Sequence, residues 1–128
     1  MIANGTNILE AKVIILGLTF KENCSDLRNS KVADLVKDLQ DFGCKVYVHD
    51  PLADPQQALN NFGVAMSDWD QLPHNADAIV AAVSHNDYTS QPVANLLAPL
   101  KPGGVFIDIK SSFPPELITA MGATFWRL

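Results

Sequence analysis

Apolar residues fall along this chain in two rhythms. Val13-Ile14-Ile15-Leu16 and Ala78-Ile79-Val80-Ala81-Ala82-Val83 are unbroken runs without alternation, the pattern of strands covered on both faces of a parallel sheet. Val105-Phe106-Ile107-Asp108-Ile109, the shorter Lys45–His49 and the closing Ala123–Trp126 add further strand candidates. Between them the spacing turns helical. Val32, Leu35, Val36, Leu39 and Phe42 share one stripe, while Lys31, Asp34, Lys37, Asp38 and Asp41 face away. Asn29 or Ser30 can cap that helix, and Gly43 closes it as the residue just past its end.

The remaining punctuation completes the alternation. Asp54–Asn61 reads as a helix with Pro55 at its first position, and Gly63-Val64-Ala65-Met66 as a short third strand. Ser67 caps a helical turn that ends at Pro73, and Ser84–Tyr88 is a polar loop. Ser90 caps a helix with Pro92 in its first turn and Val93, Leu96 and Leu97 buried. Lys101-Pro102-Gly103-Gly104 is a tight turn, and Pro114-Pro115-Glu116 opens a last helix with Leu117, Ile118 and Met121 inward, stopped by Gly122. This predicts an α/β fold: a Rossmann-like, doubly wound, mostly parallel sheet of five to six strands with helices on both faces. Residues 1–12, with turn chemistry at Asn4-Gly5-Thr6-Asn7, read as a lead-in from a preceding domain, and residues 13–128 as one domain. In the strand order 3-2-1-4-5-6 the first and fourth strands are neighbours at the switch point. Lys21, Ser84 and Lys110 then surround one crevice, with Asp50, His85 and Asp108 on the same edge.

Composition narrows the function classes. The 128 residues are 48% hydrophobic and 18% charged, an ordinary globular balance large enough for a core without metal or disulfides. A net charge of −5 argues against general nucleic-acid binding but not against a local anion site. Two scattered cysteines suggest a reducing, cytoplasmic setting and no metal site. No apolar run approaches the ~20 residues of a membrane span, and no signal peptide is visible.

Candidate chemistry gathers after the first strand. Lys21 and Arg28 place positive charge beside a helix N-terminus, a setting for phosphate or carboxylate. The same charges also allow Arg28 to pair with Asp26 and Lys21 to be solvated. The loop has Gly17 but no further glycine of G-x-G-x-x-G, so it should not hold a dinucleotide in the usual way. Asp50 sits where an NAD-binding acid would hydrogen-bond a ribose, but without the glycine loop an Asx turn before Pro51 suits it better. His85 beside Asn86 and Asp87 is an acid-base candidate or, with no nucleophile partner, an exposed loop histidine. Cys24 lies near Arg28 but has no identifiable base, and His49 and His74 are too isolated for metal ligands. Local chemistry thus offers an anion crevice and no catalytic set.

The run from Gly17 to Ser30 resembles the G-x-x-F-K-x-x-x-x-D-x-R-x-S signature that opens the C-terminal domain of the UDP-glucose/GDP-mannose dehydrogenase family. The likeness continues through Gly43, Tyr47-Val48-His49-Asp50-Pro51 and Asp108-Ile109-Lys110, and is strongest to the branch oxidising UDP-N-acetylhexosamines for surface polysaccharides. The resemblance implies two NAD-dependent oxidations of a sugar C6 alcohol to the carboxylate, through a cysteine-bound thiohemiacetal. It further implies an N-terminal domain that binds NAD, a central domain that carries the cysteine and mediates a homodimer, and a C-terminal domain that closes over the UDP-sugar. The family's catalytic-cysteine motif is absent from this chain, so it should be inactive alone. Carried over by position, Phe20, Lys21 and Lys110 contact the UDP-sugar, and Arg28 reaches the NAD on the first domain. Lys110 stands where many members have arginine, keeping the charge but not the planar fork. The alternatives from other classes are a receiver-like signalling domain, which lacks its acidic pair here, and a purely structural interaction domain.

Overall fold

The computed structural model describes residues 11–18, 31–83, 85–109 and 113–127. Five strands form one sheet: β1 (Lys12–Leu16), β2 (Lys45–His49), β3 (Ala76–Ala81), β4 (Leu100–Asp108) and β5 (Thr124–Arg127). Their order is β2-β1-β3-β4-β5, and every neighbouring pair is parallel. The helices are α1 (Val32–Asp41), α2 (Pro55–Phe62), α3 (Asn86–Thr89), α4 (Val93–Leu97) and α5 (Pro115–Ala120), with a 3-10 turn at Trp69–Gln71.

The unbroken apolar runs have the predicted cause. Val13 and Ile15 of β1 point into a core with Val48, Val80, Val105 and Val36 of α1. Ile14 and Leu16 point into a second core with Ile79, Phe106, Tyr88, Leu96 and Ile118. Each β1 side chain between Val13 and Leu16 is essentially inaccessible, so nothing selects for alternation.

The third strand survives only as a trace. Gly63 ends α2 in the left-handed region (φ 67°), and the Val64 N–H donates to the Ala58 carbonyl, so the chain leaves the helix too late to run alongside β2. Met66 alone makes a parallel bridge to Val48. With that bridge counted, the sheet has the expected order 3-2-1-4-5-6, and the first and fourth strands of the sequence are neighbours as β1 and β3.

Other differences have local reasons. Phe42 caps α1 rather than extending its stripe and is 62% exposed. Asp68, not Ser67, precedes the 3-10 turn, with its N–H donated to Gln71 Oε1. Ser90 ends α3, and α4 starts after Pro92. The α5 helix is under two turns long, so only Ile118 reaches the core, leaving Leu117 and Met121 exposed. Lys101–Gly104 is absorbed into β4: Ala76 pairs with Leu100 but Ala78 with Val105, and Gly103 (φ 76°) donates its N–H to the Gly122 carbonyl.

At the amino edge of the sheet Asp77 accepts the Lys12 N–H at 2.8 Å and lies 2.6 Å from Lys101 Nζ. Burial alone would raise its carboxyl pKa, but the Lys101 ammonium and the Lys12 amide outweigh burial and hold it below the ordinary value. A depressed carboxyl stabilises the fold above its unfolded pKa, and that contribution disappears as pH falls through the folded value. Asp77→Asn is therefore expected to cost about 1 kcal/mol, or roughly 4 °C in Tm, at pH 7. Thermal unfolding should show the gap to wild type closing below about pH 4.

Candidate functional site

The four residues assigned to ligand by resemblance, Phe20, Lys21, Arg28 and Lys110, lie outside the described residues, as do Ser84, Cys24 and the capping candidates Asn29 and Ser30. What is described is the framework at the carboxyl ends of the strands from which those segments depart.

It begins where β1 ends. Gly17 adopts φ +100° and donates its N–H to the His49 carbonyl at 2.8 Å. A Cβ at this position would lie 2.5 Å from Val83 Cβ, so both backbone angle and space demand glycine. The fully buried Leu18 follows, and its N–H donates to Asp50 Oδ2 at 2.7 Å.

Asp50 connects three strand ends. Its Oδ1 accepts the N–H groups of Leu52 (2.8 Å) and Ala53 (3.2 Å), which is the Asx turn expected before Pro51. Its Oδ2 faces both the Leu18 amide and His85 Nε2, the latter at 3.0 Å. An ionised carboxylate has only acceptors, so Nε2 carries the proton in this pair.

His85 is a correction to the sequence reading: it is fully buried rather than exposed. The segment after β3 turns into α3 instead of remaining a loop, with the Tyr88 and Thr89 N–H groups on the His85 carbonyl. This turn drives Tyr88 inward beside the imidazole, ring centroids 5.9 Å apart. Tyr88 Oη donates to the His49 carbonyl at 2.8 Å and therefore accepts from His49 Nδ1, also at 2.8 Å. Burial lowers the His49 pKa, against the partial opposition of Asp50, Asp68 and Asp87. Burial, reinforced by Asp50 and Asp87, pushes the Tyr88 hydroxyl well above its ordinary range. Both groups therefore stay neutral near pH 7 and serve as hydrogen-bonding parts.

Asp108 ends β4, opposite Ala81 of β3, and is fully buried. Its Oδ2 accepts the Phe113 N–H at 2.8 Å, while Oδ1 finds no donor among the described residues. Ile109 donates to the Ala81 carbonyl, and Phe113 packs edge-on against Phe106. The chain is thus fixed on both sides of residues 110–112. Asp50 and His85 meet as the shared-edge argument requires, and Asp108 stands at the end of β4 on the same edge. What the sequence did not reveal is that Asp50 ties segments 32 and 35 residues away.

A doubly wound parallel sheet with buried polar side chains along its carboxyl edge defines a Rossmann-like α/β domain. Over residues 14–115 the chain matches the sequence profile of the UDP-glucose/GDP-mannose dehydrogenase family, UDP binding domain, and it belongs to that family. It is 35% identical over 116 residues, 91% of its length, to the UDP-N-acetyl-D-glucosamine 6-dehydrogenase of Salmonella typhi. To the enzyme of that name from Pseudomonas aeruginosa it is 37% identical over 101 residues, 78% of its length. The chain spans 27% and 24% of those two relatives, respectively. Among solved structures, the NDP-N-acetyl-D-galactosaminuronic acid dehydrogenase of Methanosarcina mazei Go1 superposes with a TM-score of 0.79 at 26% identity, covering 98% of this chain and 27% of its own.

The Gly17 geometry yields a direct test. Gly17→Ala forces a left-handed alanine and a clash with Val83, with an expected loss of about 2–4 kcal/mol. Denaturant unfolding of the two proteins measures it.

Proposed function

We propose that this chain is the nucleotide-sugar-binding domain of an NAD-dependent UDP-sugar 6-dehydrogenase that converts a UDP-hexose or UDP-N-acetylhexosamine to the uronic acid. The observation that carries the reading is the match of residues 14–115 to a UDP binding domain, supported by relatives that are 6-dehydrogenases of UDP-N-acetyl-D-glucosamine. In this reading the intact enzyme is a cytoplasmic homodimer that supplies uronic acids for polysaccharides.

The chain contributes binding. Lys21 and Lys110 supply charge for the diphosphate, Phe20 packs on the nucleotide sugar, and Arg28 reaches toward NAD on the preceding domain. Closing two domains over such a ligand removes water and strengthens each charged contact. Gly17 supports this division of labour. It stands without the further glycines that let backbone approach a pyrophosphate, so the dinucleotide fingerprint is not complete in this turn. NAD and the reactive cysteine then belong to the rest of the polypeptide, and this chain alone turns over nothing.

Titration of the chain with UDP, followed by NMR or calorimetry, should show weak saturable binding that Lys21→Ala abolishes. In the intact dehydrogenase Lys21→Ala should reduce kcat/KM about 30-fold or more, the ~2 kcal/mol typical of losing one partner of a desolvated charge pair. Absence of UDP binding by the chain would refute the proposal, and full activity of the Lys21→Ala enzyme would refute the role given to Lys21.

A further inference from the structure

The two segments assigned to the ligand are bracketed by described residues, and a buried aspartate holds each bracket. Residues 19–30 continue from Leu18, whose amide is bound by Asp50 Oδ2 at 2.7 Å. Residues 110–112 precede Phe113, whose amide is bound by Asp108 Oδ2 at 2.8 Å. We infer that Asp50 and Asp108 are positioning residues for UDP binding, fixing the backbone from which the Phe20–Lys21 and Lys110 segments depart. The inference rests on the UDP-binding reading above.

Neither aspartate is explained by its local turn. The Asx turn at Asp50 uses Oδ1 alone, through Leu52 and Ala53. Its other oxygen is committed to the end of β1 and to His85, which in turn fixes the carboxylate from the β3 side. Asp108 is a fully buried carboxylate that among the described residues receives a donor on one oxygen only, the amide of Phe113 across residues 110–112, so that bond holds the connection it closes. A carboxylate is also a poor direct ligand for a diphosphate, since like charges repel. Both therefore act through backbone amides.

The two sites respond differently to the same substitution. In Asp108→Asn the carboxamide oxygen still accepts from Phe113, and its NH2 takes the place of Oδ1, where no described donor is lost. In Asp50→Asn one side of the carboxamide must set an NH2 against existing donors, either Leu52 and Ala53 or Leu18 and His85.

NMR of the 128-residue chain reads both consequences, with UDP as the probe and the temperature well below each variant's Tm. Asp50→Asn should accelerate exchange of the Leu18 amide and raise the UDP dissociation constant about 10-fold, a modest version of the loss that follows from misplaced binding groups. Asp108→Asn should stay within about 2-fold of wild type and Asp108→Ala should weaken binding about 10-fold. A purely structural role would lower Tm and leave UDP affinity in the folded protein unchanged, and that outcome overturns the inference. Equal damage from Asn and Ala at position 108 would overturn the acceptor role there. Should Asp50→Asn fail to fold, His85→Leu, which removes the Nε2 donor from Oδ2, is read in the same way. A wild-type chain that ignores UDP refutes the function proposed above; the Leu18 amide then decides the anchoring, and unchanged exchange in Asp50→Asn overturns it.

Discussion

The carboxyl edge of this sheet depends on one buried carboxylate. Where parallel strands end, their backbones diverge into separate crossovers, and nothing in the ladder itself keeps the departing chains together. Asp50 supplies the missing connection: one oxygen organises the turn after β2, and the other binds the end of β1 and the start of α3. Hydrogen bonds to a charged acceptor are roughly twice as strong as neutral ones, and burial removes the competition of water. The same burial makes the arrangement intolerant, because losing any one donor leaves charge in an apolar setting. Around this centre, His49 and Tyr88 exchange bonds through Nδ1, Oη and a backbone carbonyl, so three loops form one polar unit between two apolar cores.

The opposite edge uses a looser version of the same chemistry. Asp77 also binds a backbone amide, that of Lys12, but its cationic partner Lys101 is about one-third exposed. Water screens that pair, so it trims stability without dictating geometry. The contrast fits the location of ligands in open α/β sheets, which bind outside the carboxyl ends of the strands.

Much of this was legible in the residues. Val13–Leu16 and Ala78–Val83 announce two-faced burial, and Gly43, the D-P step at Asp50 and Pro55 mark the end of α1, the end of β2 and the start of α2. The errors were of two kinds. Some were matters of length: a pattern suited to a helix cannot show that α5 spans only Pro115–Ala120, which is why Leu117 and Met121 are exposed. The others concern polar burial. His85 lies in a run of Ser, His, Asn and Asp that looks like any solvated loop, and only its partner 35 residues away makes it a core residue. Tyr88 is the available hint, since a helix there must bury something. For the ligand segment itself the information runs the other way. The signature from Gly17 to Ser30 points to the family, which the profile match shows, whereas the described geometry bears only on its first residues, Gly17 and Leu18.

The strand order separates the family's fold from its main competitor. Five strands arranged β2-β1-β3-β4-β5 match the receiver-like pattern as well as a Rossmann-like one, so the sheet alone is ambiguous. The bridge from Val48 to Met66 tips the balance, because it is a sixth position outside β2, where a third strand of a 3-2-1-4-5-6 sheet belongs. Gly17 then separates this domain from its dinucleotide-binding counterparts. In those folds further glycines in the first turn let backbone approach a pyrophosphate, whereas here Gly17, packed against Val83, is followed by the buried Leu18. In the proposed reading the nucleotide falls to side chains farther along the signature, and side chains need a fixed base. That requirement accounts for placing the most constrained carboxylate of the edge directly beneath the point where β1 gives way to the signature.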